Sequence, residues 1–316
     1  MASPTGTYTS YDAVGNREDL QDHIYNISPT DCPFISSIGT DTAKSTKHEW
    51  QTDVLADATT ANAQIEGDDV TGSTSSPTTR EHNYCQISRK DVVVSNTQNT
   101  VLKAGRGEEL QYQLLKRGRE LKRDMEAILT GNQGYTTGGT TTARKLRSLE
   151  SWLSSNTSRA SNGGNAASAT VGATDGTQRA FTEAMLKSVI QSCYGNGAEP
   201  QILMVGPANK QNVSNFTGRA SARQNISDDR IQAAAHLYAS DFGEIRVVPN
   251  RFQRERSAFV LDPEYASVAY LRRMQRKDLA TTGDAMKKFI VAEYTLCMRN
   301  EGAHGVVADL TTTVST

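Results

Sequence analysis

The period of the apolar residues changes several times along the chain, and each change marks an element. Leu20, Ile24 and Ile27 recur at helical spacing behind Asn16, which predicts a short helix on an extended arm, stopped by Pro29 and Pro33. Around Trp50, Thr52 and Val54 the side chains alternate with Glu49, Gln51 and Asp53, the period of a half-exposed strand. A second strand is predicted over residues 80–94. Between them, residues 56–79 are dominated by Ala, Thr, Ser, Gly and Asp, too polar to bury and too long for a tight turn, so they read as a projecting hairpin tip. Ordering such a tip costs ~1–2 kcal/mol of backbone entropy per residue, which points to neighbouring subunits that receive it.

Leu110, Leu114, Leu121, Met125 and Ile128 then fall on one stripe, predicting a helix roughly 33 Å long with Glu108 and Glu109 at its positive end. Gly118 lies inside it, at a cost of about 1 kcal/mol relative to Ala, so a close packing partner or a bend is expected there. Gly131, Gly134, Gly138 and Gly139 end the helix, and residues 154–176 read as a Ser/Asn/Gly/Ala-rich loop or linker at a domain boundary. Beyond it, Phe181, Ala184, Met185, Ser188 and Val189 predict a helix face, and residues 202–205 a buried strand. Pro207 opens a helix carrying Val213 and Phe216, and Ile231, Ala234, Ala235 and Tyr238 align on a third. Strands follow at 244–248, 258–261 and 266–272. In the last run, 287–299, Ile290, Ala292, Tyr294, Leu296 and Met298 share one face. It is about twice the usual strand length, which suits a β-ribbon packed along the long helix.

Composition narrows the class. With 316 residues the chain can bury a sizeable core in one large or two linked lobes, and 36% hydrophobic with 6% aromatic residues leaves much polar, loop-rich surface. Thirty-four basic against 35 acidic residues produce no bulk field towards nucleic acid or an anionic membrane. Residues 1–15 lack a basic start followed by an apolar run, so neither secretion nor membrane insertion is expected.

Catalysis needs convergent groups, and none is visible. His23, His48, His82, His236 and His304 are scattered without a metal-ligand or triad spacing, and Cys32, Cys85, Cys193 and Cys297 read as reduced thiols. The glycines near Gly131 and Gly138 are not followed by the Lys-Ser/Thr of a phosphate loop. Asp241-Phe242-Gly243 spells the kinase magnesium tripeptide without the other kinase motifs, and reads as coincidence. Glu66, Asp68 and Asp69 lack the ligand set of a calcium loop and read as a solvated acidic tip. Lys116, Arg119 and Arg123 share one side of the long helix and offer at most weak, salt-sensitive contact with DNA phosphates. No catalytic, cofactor-binding or metal residue is therefore expected.

The order of elements resembles the Hong Kong 97 capsid fold, and the wording of the chain is closer still. The segments 16–20 (Asn-Arg-Glu-Asp-Leu), 25–31 (Tyr-Asn-Ile-Ser-Pro-Thr-Asp) with Pro33-Phe34, and 48–53 (His-Glu-Trp-Gln-Thr-Asp) resemble the opening of a family of tailed-phage major head proteins. So do 62–69, 104–106 and 120–126 followed by 131–133, with looser likeness at Trp152, Asn156-Thr157 and 207–218.

What the resemblance implies is an α+β fold with an N-terminal arm (1–39), an extended β-hairpin E-loop (40–95), a peripheral domain (96–177 and 286–316) with its spine helix at about 106–131, and an axial domain (178–285). It further implies a non-enzymatic structural subunit of an icosahedral bacteriophage head. Such a subunit self-assembles into pentamers and hexamers to form the virion shell around packaged double-stranded DNA, within the cytoplasm of a bacterial host. Implied partners are copies of itself, a portal, scaffolding or decoration proteins, and the DNA non-specifically, with no membrane. Some proteins of this fold join a lysine to an asparagine covalently; Lys44 and Lys47 lie near the hairpin base, but no crosslink is expected. The rival readings are another virion protein, such as a decoration or tail-tube subunit, and an α/β enzyme using the axial lobe.

Overall fold

The computed structural model describes residues 30–313, apart from 57, 68, 70–71, 73–76, 104–106, 217–235 and 282. The arm helix expected from Leu20, Ile24 and Ile27 lies outside the described residues. So do Ile231, Ala234 and Ala235; Tyr238, expected on the same helix, instead belongs to a strand.

A four-stranded sheet and one long helix form the spine of the molecule. The sheet runs in the order β1 (Gly39–Thr42), β10 (Ala266–Asp278), β11 (Ala285–Met298), β4 (Gln86–Ser95). Helix α3 (Glu109–Leu129) lies across β4 and β11. Its inward stripe of Leu110, Leu114, Leu121, Met125 and Leu129 packs against Ile290, Ala292, Tyr294, Leu296 and Met298 in one core. That core takes one face of a strand and one stripe of a helix, each at its own period. At Gly118 a Cβ would meet only Ile290 Cδ1, at 3.8 Å. Close packing, one of the two reasons expected for it, therefore does not require the glycine.

The strand expected over 80–94 is divided: β3 (Thr79–Tyr84) and β4 belong to different sheets, with the buried Cys85 between them. Among the described residues β3 pairs only with β2 (Lys47–Thr52), antiparallel, from Lys47↔Tyr84 to Thr52↔Thr79. β10 runs six residues beyond the Arg272 end expected for it, continuing past two register shifts at Tyr270/Arg272 and Arg272/Gln275. Polar side chains on both faces there hide the period.

A six-stranded sheet forms the second lobe, in the order β5 (Thr157–Ser158), β12 (Gly305–Val307), β9 (Ala258–Leu261), β6 (Ile202–Val205), β8 (Gly243–Pro249), β7 (Leu237–Ser240). Helices α5 (Glu183–Gly195) and α6 (Pro207–Ser214) accompany it. Leu186, Val189, Ile190 and Cys193 form the buried face of α5, whereas Ala184 and Ser188, expected inward, are exposed. The larger apolar side chains bury more area and set the rotation. Asp241-Phe242 is the turn between β7 and β8, closed at Gly243 with φ +133°, a conformation open to glycine.

Apart from β5, residues 154–176 are a loop, but a braced one. Gly164 and Thr174 exchange backbone hydrogen bonds, and Asp175 binds Arg254 at 2.6 Å. Arg254 also reaches the buried Glu150 at 2.8 Å, which in turn meets Arg159 at 3.3 Å and Ser257 Oγ at 2.9 Å. Arg256 extends the chain of charges to Asp309, whose other oxygen accepts from Ala160 N. Such pairs fix geometry because removing either partner strands a charge out of water.

Candidate assembly surfaces

The arm is fastened to the spine by one carboxylate. Pro33 opens α1 (Pro33–Ser37), whose first N–H groups have no partner within the helix. Phe34 N and Ile35 N donate to Glu126 Oε1 and Oε2 at 2.6 and 3.0 Å, and Asn250 Nδ2 donates to Oε1 at 2.8 Å. Arm, spine helix and second lobe thus meet at a fully buried side chain. Burial pushes its carboxyl above the usual range, against the opposing pull of these three bonds. Glu126 closes the segment 120–126 that carries the resemblance, and nothing in the sequence assigns it this role. A carboxylate beside an apolar stripe was the available signal, but its partners lie far away in the chain.

The hairpin is anchored at its base and bare at its tip. Trp50 on β2 packs against Trp152 of α4 (Leu149–Trp152), ring centroids 5.6 Å apart and planes inclined by 43°, and the Arg147 guanidinium lies 4.2 Å over the Trp152 ring. Asn83 on β3 donates to Arg147 O and Leu296 O, at 3.0 and 2.8 Å, and accepts from Arg147 N at 2.8 Å. Farther out, Val54, Leu55 and Ile65 are 87, 93 and 80% exposed. Large apolar groups held in water on an arm are a mark of a contact surface.

A groove of about 610 Å³ runs between α1, α3 and β10, with Met125, Tyr270 and Met274 among its apolar walls and Lys122 and Arg273 among its cations. Thr30 borders it and a second cavity of about 180 Å³, which takes in Leu115, Lys116, Arg119 and Arg123. The expected cationic side of α3 is thereby brought together, with one change. Arg123 is half-buried with its guanidinium 5.2 Å over Phe252, while Lys116, Arg119 and Lys122 are exposed.

The remaining candidates are dispersed. Burial pushes the thiols of Cys32, Cys85 and Cys297 up to about 11 and that of Cys193 to about 12, away from thiolate chemistry. His304 is held at about 4 by burial, and desolvation also lowers His48 and His82, which lie against Trp50 and Tyr84 respectively. His236 is exposed at the start of β7, and His23 lies outside the described residues. Lys47 is paired with Glu49 at 2.5 Å, and Lys44 is exposed. Glu66 and Asp69 are exposed on the hairpin. Among the described residues no cluster of His, Cys, Asp or Glu could hold a metal ion, and no helix is long and apolar enough to cross a membrane.

Comparison with known proteins gives the family and the fold. The family model described as SU10 major capsid protein matches residues 4–311. A major capsid protein of Escherichia phage Phieco32 is 43% identical over 136 residues, a match spanning 43% of this chain and 38% of that relative. The capsid of a native GTA particle superposes with TM-score 0.65 at 10% identity, covering 96% of this chain and 98% of that one. The cyanophage A-1(L) capsid gives 0.64 at 11% identity, with the same coverage, and Gordonia phage Cozz 0.60 at 10% identity, covering 97% and 96%. At such low identity the structural likenesses establish the fold, which is of the Hong Kong 97 type. With the family model spanning nearly its whole length, the chain belongs to the SU10 major capsid protein family.

Proposed function

We propose that this chain closes into pentamers and hexamers that tile an icosahedral phage head around double-stranded DNA, and that it performs no catalytic step. The observation carrying this is the hairpin: anchored at Trp50 and Asn83, it presents Val54, Leu55 and Ile65 to solvent at 80–93% exposure. A head-to-tail contact that covers such an arm repeats around a ring, and rings tile a closed surface. Contacts with a portal, with scaffolding or decoration proteins and with the packaged DNA, and assembly in the host cytoplasm, belong to the same proposal.

The proposed division is arm 1–39, E-loop 40–95, peripheral domain 96–177 with 286–316, and axial domain 178–285. β10 falls inside the axial stretch yet hydrogen-bonds along β11 in the spine sheet, and β5 and β12 fall inside the peripheral stretches yet belong to the six-stranded sheet. The test is the mass of the purified protein in solution over a range of concentration and salt. Species of five or six subunits, or larger, are expected; a compact small oligomer under every condition, with phage assembly factors supplied, overturns the proposal.

A further inference from the structure

The spine sheet ends in an undefended edge. β4 is its last strand, ten residues long, and among the described residues no strand pairs with its other side. A free edge offers a row of N–H and C=O groups to another chain, and proteins usually block it with a short strand, a proline, a bulge or an unpaired lysine. β4 contains no Pro or Gly, and it follows β11 from Gln86↔Tyr294 to Ser95↔Ala285 without a register shift. Its central Lys90 is neutralised by Asp124 of α3 at 2.7 Å.

The two faces of β4 differ. Val92 and Val94 are buried in the core that α3 closes, whereas the alternate side chains point the other way and stay bare. Ile87 and Val93 are 48 and 61% exposed, and between them Arg89 and Asp91, with side chains 60 and 50% exposed, lie 3.0 Å apart. This face is complementary to itself. Run antiparallel against a second copy about Lys90, it sets Ile87 opposite Val93 and Arg89 opposite Asp91, each twice. Sliding one copy by two residues sets Arg89 against Arg89 or Asp91 against Asp91, and sliding it by one turns the bare face of one strand against the buried face of the other. The charges on this edge thus select one register of its own copy. We infer that β4 of one subunit pairs antiparallel with β4 of another, centred on Lys90, so that two spine sheets run on as one. Being isologous, this contact differs from the head-to-tail one that closes a ring. The pairing does not depend on ring formation; its place, between subunits of two rings, rests on the shell-building proposal.

The test mixes two variants of the full chain, Ile87→Cys and Val93→Cys, under a mild oxidant and reads disulfide-linked dimers on non-reducing gels. The wild type supplies the background, with Cys32 partly exposed and Cys85, Cys193 and Cys297 buried. Positions 87 and 93 are ~20 Å apart along one strand, and so are identical positions across the pair, beyond the ~7 Å a disulfide spans. The mixture is therefore expected to crosslink at least tenfold more than either protein alone. Arg89→Asp in both proteins sets Asp opposite Asp91 and is expected to lower the yield severalfold; adding Asp91→Arg is expected to restore it. Equal crosslinking by one variant alone, indifference to Arg89→Asp, or a loss that Asp91→Arg does not restore overturns this pairing. A mixture that stays at background while the wild type builds rings and shells also overturns it and leaves the shell proposal standing. Specific crosslinking in a protein that never reaches rings of five or six supports the strand pair and counts against the shell proposal.

Discussion

Phe34 donates its backbone N–H to the buried Glu126 carboxylate across 2.6 Å, joining residues 92 positions apart. Ile35 N and Asn250 Nδ2 complete the set. Glu126→Ala leaves three donors without this acceptor in a dry site, and a loss of about 3–5 kcal/mol is predicted from the penalty for each unsatisfied group. Glu126→Gln, which keeps one oxygen, is expected to lose less. Chemical unfolding of the isolated subunit ranks the two, and equal stability of all three proteins contradicts the account of the arm.

His304 supplies a pH dependence with a definite sign. Its folded value of about 4 lies below the ordinary 6.5 because burial disfavours the charged ring. Between those values the unfolded chain binds the extra proton, so stability is fully present above about 6.5 and is lost as pH falls towards 4. The difference amounts to roughly 3 kcal/mol at about 1.36 kcal/mol per pKa unit. Unfolding midpoints of the wild type and of His304→Gln, measured from pH 7 to 4, should converge as the pH falls. Parallel curves contradict the assignment.

Gly118 on the spine helix is a candidate for stabilisation. The added methyl of Gly118→Ala would lie at ordinary contact distance, 3.8 Å from Ile290 Cδ1. A gain of up to about 1 kcal/mol is predicted from helix propensity and the restricted unfolded chain. A lower thermal midpoint would show that the helix needs the glycine for another reason.

Removing residues 56–79 and rejoining the strand ends should leave a folded subunit. The hairpin's fastenings, Trp50 on Trp152 and Asn83 on Arg147 and Leu296, lie outside the deleted stretch. Closed shells should not form, because the exposed Ile65 and the acidic tip are gone. Circular dichroism checks the first outcome and particle counts the second; normal heads from this protein contradict the role given to the hairpin.

Much of this architecture was legible in the sequence wherever one period ran unbroken. The stripe Leu110–Leu114–Leu121–Met125 is the buried face of α3, and Ile290, Ala292, Tyr294, Leu296 and Met298 are the apolar face of β11 that meets it, while its other face buries the polar Glu293 and Thr295 and so keeps the alternation visible. Legibility failed where burial depends on distant partners. Glu126, Glu150 and Asp309 are charged residues inside the protein because Phe34, Arg254 and Arg256 come to them from elsewhere in the chain. The same cause explains residues 154–176, whose composition is that of a linker and whose order comes from Asp175 and its arginines. The division of one long strand at Cys85 likewise depends on which distant partner each half meets, β2 for β3 and β11 for β4.

Electron microscopy of the negatively stained wild-type protein, concentrated and supplied with phage assembly factors, tests shell building most directly. The account predicts rings with five and six subunits, passing into curved sheets or closed icosahedral particles. Uniform small particles without rotational symmetry of that order, at every concentration and salt, would contradict it.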